Sequence, residues 1–328
     1  MRQYLLTIAL ILTVTSGCDN VKFGGMDVEL RPPPSTATPD ASESSPEEIA
    51  GPINVDGPIL LAGVRDGSRA EFILVGEVDD DIVRAFPDPL FPEDVDRLTE
   101  LVAPASEWIL FSEGVRVGRM FAEASGEAAD YCGSRVSVTG VVELVPAAGS
   151  AERLLALPAA FGGDRPYGDY QSVAHDYDQR VASLSIAGAA IPRVGAARPP
   201  LGVLDARQHI QAFRLSGAVG ASIAATFMFQ DQLAVSSPGQ GAYALFVMGE
   251  DVGGSYEEAF VWHRAVDTDG KGAPRYFDHL DLDADGSDEI LLEVFGSNRR
   301  WFAGLGLRDG AWVRTFQDSC GSGASEGS

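Results

Sequence analysis

The chain has 328 residues and a mass of 34.7 kDa, which is enough for about two domains. Hydrophobic residues make up 45% and charged residues 22%, a globular composition that excludes collagen, wholesale disorder and a polytopic membrane protein. The 48 acidic residues outnumber the 24 basic ones, and the resulting net charge of −24 repels phosphate backbones. Nucleic-acid binding is therefore excluded.

The first 18 residues have the pattern of an export signal. Arg2 supplies a positive start, and residues 5–14 form an apolar core that is too short to span a bilayer. The small residues Thr15-Ser16-Gly17 then precede Cys18. This pattern resembles the lipobox of bacterial lipoproteins, although the family prefers Leu where Thr15 stands. A plain secretory signal with an incidental cysteine is the alternative.

The lipoprotein resemblance implies a lipid anchor at Cys18. In that family the signal peptide, here residues 1–17, is removed, and the cysteine carries acyl chains such as palmitate. Two or three such chains hold a protein stably on a bilayer, since each buried CH₂ contributes about 0.8 kcal/mol. We therefore expect an exported protein anchored to the cell membrane or the outer membrane. Asp19 resembles an enterobacterial inner-membrane retention signal, but that rule varies between bacteria and the choice of membrane stays open.

Residues 18–55 predict a disordered tether between the anchor and the body. Pro, Ser, Thr and Glu dominate this stretch, and few of its residues could enter a core. The folded sequence begins near Pro58 and divides into a first block, 56–158, and a second block, 159–320. Residues 321–328 are rich in Gly and Ser and predict a disordered tail.

The first block is predicted to be mostly β-structure with one helix. Residues 70–78 form an apolar strand pattern, and Pro92 followed by two acids is typical of a helix start. Ser112-Glu113-Gly114 separates two further strand patterns and indicates a hairpin. Residues 135–145 predict another strand.

The second block is predicted to hold helices first and antiparallel strands afterwards. Apolar spacing favours a helix over 173–188 and a short helix over 205–214, with Asp205 as its N-cap. Asp309-Gly310 has the composition of a two-residue hairpin turn. The predicted strands cover 221–236, 241–249, 258–266, 289–296, 299–307 and 311–317. The fold class is therefore mainly β (α+β), with antiparallel, sandwich-like sheets and two or three short helices.

Residues 281–289, DLDADGSDE, contain the sharpest motif in the chain. Alternating aspartates place carboxylates around one point, and oxygen ligands suit Ca²⁺. An EF-hand is excluded because Leu292 stands where its twelfth-position acid belongs. The loop followed by a strand resembles the FG-GAP/VCBS type of calcium loop. That resemblance implies ligation by the side chains of Asp281, Asp283 and Asp285, the carbonyl of Ser287, and the closing acid Glu289.

The family that carries this calcium loop repeats it once per propeller blade, and this chain has one clean copy. Asp267-Thr268-Asp269-Gly270 matches only a fragment of the calcium-loop motif, and its composition is more typical of a turn. Because a single blade cannot bury its faces, a propeller is not expected. A solvated acidic turn without calcium is the alternative for residues 281–289.

Two cysteines are left once Cys18 is acylated. Cys132 and Cys320 would then be the remaining thiols in an oxidising compartment, where disulfides persist. We expect them to form a disulfide. Two buried free thiols are the alternative.

Signatures of catalysis are weak. Residues 323–327 spell G-x-S-x-G, but no strand precedes them, so the match is attributed to chance. Asp176 and Asp178 belong to a local cluster of acid and base groups, which equally suits the first turn of a helix. Trp301 and Trp312 flank the last hairpin and suit either sugar stacking or core packing. No catalytic residue and no cofactor other than Ca²⁺ is assigned.

The sequence favours a non-catalytic role in binding or envelope assembly for a membrane-anchored lipoprotein with a calcium-stabilised body. The ligand, whether protein or glycan, stays open. The alternative is a cell-surface hydrolase that uses paired carboxylates, with Asp176 and Asp178 as its candidates.

Overall fold

Antiparallel strands account for most of the described chain, which confirms the mainly β fold class. The computed structural model describes Val55 and residues 57–79, 82–87, 90–133 and 135–321. The predicted signal peptide, Cys18 and most of the predicted tether and tail lie outside these residues. None of the helices in the described ranges has both the length and the apolar character that a bilayer crossing requires.

The first block forms a closed six-stranded barrel. Each strand pairs antiparallel with its neighbours in the order β1-β7-β4-β5-β6-β2, and β2 pairs back with β1, so the ring has no free edge. A short strand, β3, extends from β2. The strands are β1 (Ile59–Asp66), β2 (Arg69–Asp79), β3 (Ile82–Ala85), β4 (Glu107–Ser112), β5 (Val115–Ala128), β6 (Arg135–Leu144) and β7 (Arg153–Pro158).

Closure of the barrel corrects the expectation of a sandwich for this block. The long strand β5 has a bulge near Ala122, and a Cβ at Gly118 or Gly140 would collide with the neighbouring backbone. These glycines permit the close approach and bending that closure needs. Helix α1 (Pro92–Leu101) supplies Leu98 to the cluster inside the barrel.

The second block consists of two four-stranded antiparallel sheets and four helices. One sheet has the order β11-β10-β9-β8 and the other has the order β12-β13-β14-β15. The elements are α2 (Ala159–Gly162), α3 (Tyr177–Arg193), α4 (Val203–Ala206), β8 (Arg207–Phe213), β9 (Ser222–Phe229), β10 (Tyr243–Asp251), β11 (Tyr256–Ala265), α5 (Val266–Asp269), β12 (Ala273–Leu280), β13 (Glu289–Phe295), β14 (Arg300–Arg308) and β15 (Ala311–Gln317).

Three hydrophobic clusters join these elements in layers. The outer face of the barrel packs on one face of the β12–β15 sheet, where Phe111 and Phe302 share a cluster. The other face of that sheet packs on the β8–β11 sheet. Helix α3 covers the far side of β8–β11. Both faces of β13 are therefore covered, which explains why all seven of its residues are buried.

Several predicted elements differ from the structure. The helix predicted over 205–214 is wrong, because residues 207–213 form β8 and pair with β9. Helix α3 begins at Tyr177, not at 173, and the strand predicted over 221–236 ends at Phe229. The described chain has five α-helices where two or three were expected, although three of the five have only four residues.

Candidate functional site

The acidic loop, residues 281–289, runs from the end of β12 into β13. Asp281, Asp283 and Asp285 each place one carboxylate oxygen within 4.8 Å of the others, and these three side chains could hold a metal ion. Ala284 and Gly286 have φ values of 66° and 96°, so the loop turns sharply at both positions. The N–H of Asp285 donates to Oδ1 of Asp281 at 3.1 Å and to Oδ1 of Asp283 at 3.0 Å.

Ser287 and Glu289 are not part of that three-carboxylate group. The N–H of Ser287 donates to Oδ1 of Asp285 at 2.7 Å. Glu289 is buried, and its Oε2 accepts a 3.0 Å hydrogen bond from the N–H of Leu282. Burial raises the pKa of Glu289 to about 8, and the three loop aspartates add to the rise. The Glu289 side chain therefore lies on the side of the loop that faces the protein interior.

Arg165 ties the acidic loop to the stretch between α2 and α3. Its guanidinium donates to the carbonyl oxygens of Asp281 and Leu282 and lies 5.6 Å from the ring centroid of Phe111. The arginine thus anchors the base of the loop and places one positive charge beside its carboxylates.

Cys132 and Cys320 are joined by a disulfide with a Cα–Cα distance of 5.9 Å. The bond links the end of the β5–β6 connection to the segment after β15. A buried ion pair between Arg135 and Asp318 lies close by in the chain. The guanidinium of Arg135 also donates to the carbonyl of Val75 at 2.8 Å, so this region couples barrel strands to the C-terminal segment.

A groove of about 440 Å³, here named the Trp312 groove, lies beside the acidic loop. Trp312 is half-buried, and its Nε1–H donates to Oε1 of Glu250 at 2.7 Å, which fixes the orientation of the indole. Gly286 and Ser287 of the acidic loop also line the groove. The remaining polar lining comes from Ser216, Ser222, Asp251 and Asp288.

A smaller cavity of about 210 Å³, here named the Glu113 cavity, adjoins the groove, because Leu215 and Ser216 line both. Its charged lining is Glu113, Asp169 and Arg214. The groove is lined by residues of β9, β10, β14 and β15 and of the loops beside them, whereas the cavity is lined mainly by turn and loop residues.

Glu113 occupies the first position of the two-residue turn between β4 and β5. Glu113 and Gly114 have φ values of 51° and 74°, which is a type I′ arrangement. A Cβ at Gly114 would lie 2.9 Å from Nε2 of His279, so a glycine is required there. Glutamate is an unusual residue at the first turn position, where Asn, Asp or Gly relieves the strain.

A half-buried acid, Glu113, and a buried acid, Asp278, lie close together at this turn. Oδ1 of Asp278 accepts hydrogen bonds from the N–H of Glu113 at 2.9 Å and the N–H of His279 at 2.8 Å. Oε2 of Glu113 is shielded from solvent and has no hydrogen-bond partner. Burial raises the pKa of Glu113 to about 7, and Arg153 opposes the rise. Burial, and then the charge of Glu113, raises the pKa of Asp278.

His279 and Asp288 bind the backbone on either side of Leu215, in the segment that lines both the cavity and the groove. The carbonyl of Arg214 accepts from Nε2–H of His279 at 3.0 Å, which leaves Nδ1 to accept from the hydroxyl of Tyr276 at 2.6 Å. Burial lowers the pKa of His279, which favours this neutral form of the ring. Asp288 accepts from the N–H of Ser216 and, at 3.1 Å, from its hydroxyl.

The other candidates lie elsewhere. Asp176 caps α3: its carboxylate accepts from the N–H of Gln179 at 2.8 Å, and the Gln179 side chain accepts from the N–H of Asp176. Asp178 is exposed, and neither acid lines the groove or the cavity. Trp301 is buried, so only Trp312 of the two tryptophans reaches a concave surface. Residues 323–327 lie outside the described part of the chain.

The Glu113 cavity was missed from the sequence. Ser112-Glu113-Gly114 indicates a hairpin, and the one available signal is the glutamate at a turn position that favours small polar residues. Comparison with protein-family models, with curated proteins and with solved structures finds no match for this chain.

Proposed function

We propose that the protein is an exported, lipid-anchored envelope protein whose body binds a neutral, hydroxyl-rich ligand, a glycan, in the Trp312 groove. The observation that carries this proposal is the composition of the groove. A half-buried indole, hydroxyl groups, carboxylates and the metal-capable loop share one concave surface of about 440 Å³. Export and anchoring rest on the lipobox resemblance of residues 1–18.

The lining of the groove suits sugar chemistry. The face of an indole is apolar and electron-rich, so it packs against the C–H groups of a sugar ring. Carboxylates such as Asp251 and hydroxyls such as that of Ser287 can bond the ring's hydroxyl groups and fix their direction. The hydrogen bond from Trp312 to Glu250 holds the indole in place before a ligand arrives. Less conformational entropy is then lost on binding.

The charge of the groove selects against anions. Glu250, Asp251 and Asp288 line it, in a chain whose net charge is −24. Such a field repels phosphates and carboxylates. A neutral ligand that offers hydroxyl donors is therefore favoured over a nucleotide or an acidic peptide.

Calcium in the acidic loop is the second part of the proposal. Three carboxylates with oxygens within 4.8 Å of one another repel each other until a cation joins them, and hard oxygen ligands suit Ca²⁺. By the FG-GAP/VCBS resemblance, the Ser287 carbonyl and Glu289 complete the site. Because Gly286 and Ser287 also line the groove, calcium would fix one of its walls.

The alternative hydrolase that relies on Asp176 and Asp178 gains no support from their positions. Both side chains are exposed, and Asp176 is used as a helix cap. A non-catalytic binding role therefore fits the groove better than hydrolysis at those two residues.

A glycan array tests the proposal. The full-length protein, in detergent and with millimolar Ca²⁺, is applied to arrayed bacterial and host glycans, and hits are quantified by calorimetry. We expect at least one glycan class to be retained and Trp312→Ala to weaken its binding at least tenfold. The control is Val313→Ala, a neighbouring exposed position on β15 that does not line the groove. Retention of no glycan, or equal affinity of both variants, contradicts the proposal.

A further inference from the structure

The Glu113 cavity has properties that ligand binding in the groove does not explain. It is built by a strained turn, it contains an acid whose carboxyl is shielded from water on one side, and it opens next to the Trp312 groove. Strained backbone of this kind persists only where the surrounding structure holds it, and it is concentrated at functional sites.

The surroundings of Glu113 hold it firmly. Its N–H is bound by Asp278, and the N–H of Gly114 donates to the carbonyl of His279 at 3.2 Å. The tip of the barrel hairpin is therefore fixed to β12 on both turn residues. The backbone that carries the Glu113 carboxyl is thus held in place beside the cavity, as the support of a catalytic group requires.

We propose that Glu113 is the catalytic acid of a glycoside-hydrolysing site in the Glu113 cavity, with Asp169 as its basic partner. The cavity places these two acids around one space that could admit a single sugar ring. The choice of substrate class rests on the proposed function, because a glycan lying in the groove reaches the cavity at Leu215 and Ser216.

The reaction is a hydrolysis that needs only water. Protonated Glu113 gives its proton to the bridging oxygen while the bond from the anomeric carbon to that oxygen breaks. Water adds to the anomeric carbon, and Asp169 takes one proton from that water. Both products end with a hydroxyl group, and solvent returns the proton from Asp169 to Glu113. Paired acids on either side of the bond are the usual requirement of this chemistry.

The protonation of Glu113 near neutral pH agrees with this role. Its pKa of about 7 results from burial, so that a large fraction carries a proton at neutral pH. The titratable and charged groups that face it come from β7, β12 and the loops that line the cavity. They are Arg153, Tyr276, Asp278, Asp169, Tyr170 and Arg214.

Small aryl glycosides test hydrolysis in the Glu113 cavity independently of glycan binding in the Trp312 groove. The full-length protein in detergent with Ca²⁺ is incubated with 4-methylumbelliferyl glycosides of the common hexoses and N-acetylhexosamines, and with every glycan retained on the array. We expect cleavage that Glu113→Gln lowers at least 100-fold while array binding is kept. The control is Glu107→Gln, an exposed acid on β4 of the same hairpin.

The pH profile of the unmodified protein tests the same residue without a substitution. The rate should fall as pH rises through about 7, where Glu113 loses its proton. A rate that still increases to pH 8.5, an active Glu113→Gln variant, or no cleavage of any substrate overturns the inference. Glycan binding without cleavage overturns the catalytic role of Glu113 and leaves the proposed function standing. Cleavage of aryl glycosides without glycan binding overturns the proposed function and leaves the catalytic role standing.

Discussion

The backbone N–H of Glu113 donates a 2.9 Å hydrogen bond to the carboxylate of Asp278, and so joins residues 165 positions apart. The same Oδ1 atom accepts from the N–H of His279. One buried carboxylate therefore holds the tip of the barrel hairpin against the edge strand β12. The geometry of the Glu113 cavity depends on this contact between the two blocks of the chain.

Replacing Asp278 by Ala should destabilise the protein. Two backbone donors would lose their buried acceptor, and each unsatisfied buried donor costs about 1–3 kcal/mol. Removal of a buried acid offsets part of that cost, so we expect a loss of about 2–4 kcal/mol in the free energy of unfolding, measured by urea denaturation. Asp278→Asn keeps one acceptor oxygen and should lose less. Equal stability of the Ala variant and the unmodified protein contradicts this role.

Stability should fall as pH rises from about 4.5 to about 7 because of Glu113. Its pKa is 4.5 without the fold's influence and about 7 in the folded chain. Between these values the unfolded chain releases a proton that the folded chain keeps, so the free energy of unfolding decreases with pH. The total is on the order of 3 kcal/mol, at about 1.4 kcal/mol per pKa unit.

Glu113→Gln should flatten this dependence. The amide resembles the protonated acid and does not titrate, so denaturation midpoints at pH 5 and pH 8 should move closer together. Some slope should persist, because burial also raises the pKa of Asp278. Glu107→Gln, on the same hairpin, should leave the slope unchanged. If both variants show the unmodified slope, Glu113 does not carry the effect.

The sequence predicted those strands that have a clear apolar pattern. Residues 289–296 and 311–317 lie within one residue of β13 and β15, because an apolar run followed by a turn signal identifies a strand locally. Strand β12 has no such signal, since it contains Pro274 and two charged residues. Pro is tolerated there because β12 lies at the edge of its sheet. Residues 207–213 show that pairing with β9 overrides a weak helical spacing.

The two candidate sites differ in the same respect, because one follows from a local sequence motif and the other does not. The acidic loop is a local motif, so the spacing of three aspartates was enough to predict the cluster. The Glu113 cavity brings together residues from a barrel turn, the loop before α3 and the segment after β8. Contacts of that kind arise from tertiary packing and leave no regular spacing in a single sequence.

Millimolar Ca²⁺ should raise the melting temperature, and a chelator should lower it. At a Ca²⁺ concentration tenfold above Kd, binding adds about 1.4 kcal/mol to the stability. For a domain of this size that is a shift of about 3–5 °C, measured by calorimetry. Mg²⁺ should do less, because it requires tighter octahedral geometry.

Asp283→Ala should remove the calcium response while the chain stays folded, since the loss of repulsion among the loop carboxylates offsets part of the lost binding. Asp66→Ala, at the exposed last residue of β1, is the matched control and should keep the response. A melting temperature of the unmodified protein that ignores both Ca²⁺ and chelator would leave the acidic loop a solvated turn.

Cys18→Ala should release the protein from membranes or leave the precursor uncleaved. The lipobox resemblance places both lipid attachment and cleavage at this residue, and acyl chains are what would hold the mature chain on the bilayer. Fractionation and the mass of the N-terminal peptide measure the result. A Cys18→Ala protein that is processed normally and stays in the membrane fraction contradicts the lipoprotein prediction.

Loss of the bond between Cys132 and Cys320 should destabilise the body strongly. The bond closes a span of 188 positions, for which the chain-entropy model gives an upper value of about 5 kcal/mol. Cys132→Ser with Cys320→Ser should therefore unfold at a clearly lower urea concentration than the unmodified protein. The effect should resemble that of a reductant on the unmodified chain, and reductant should not change the double variant further. Alkylation of native protein without reductant, followed by mass spectrometry, tests the bond directly. Label on both cysteines would show that they are free thiols, and the predicted difference in stability would then have no cause.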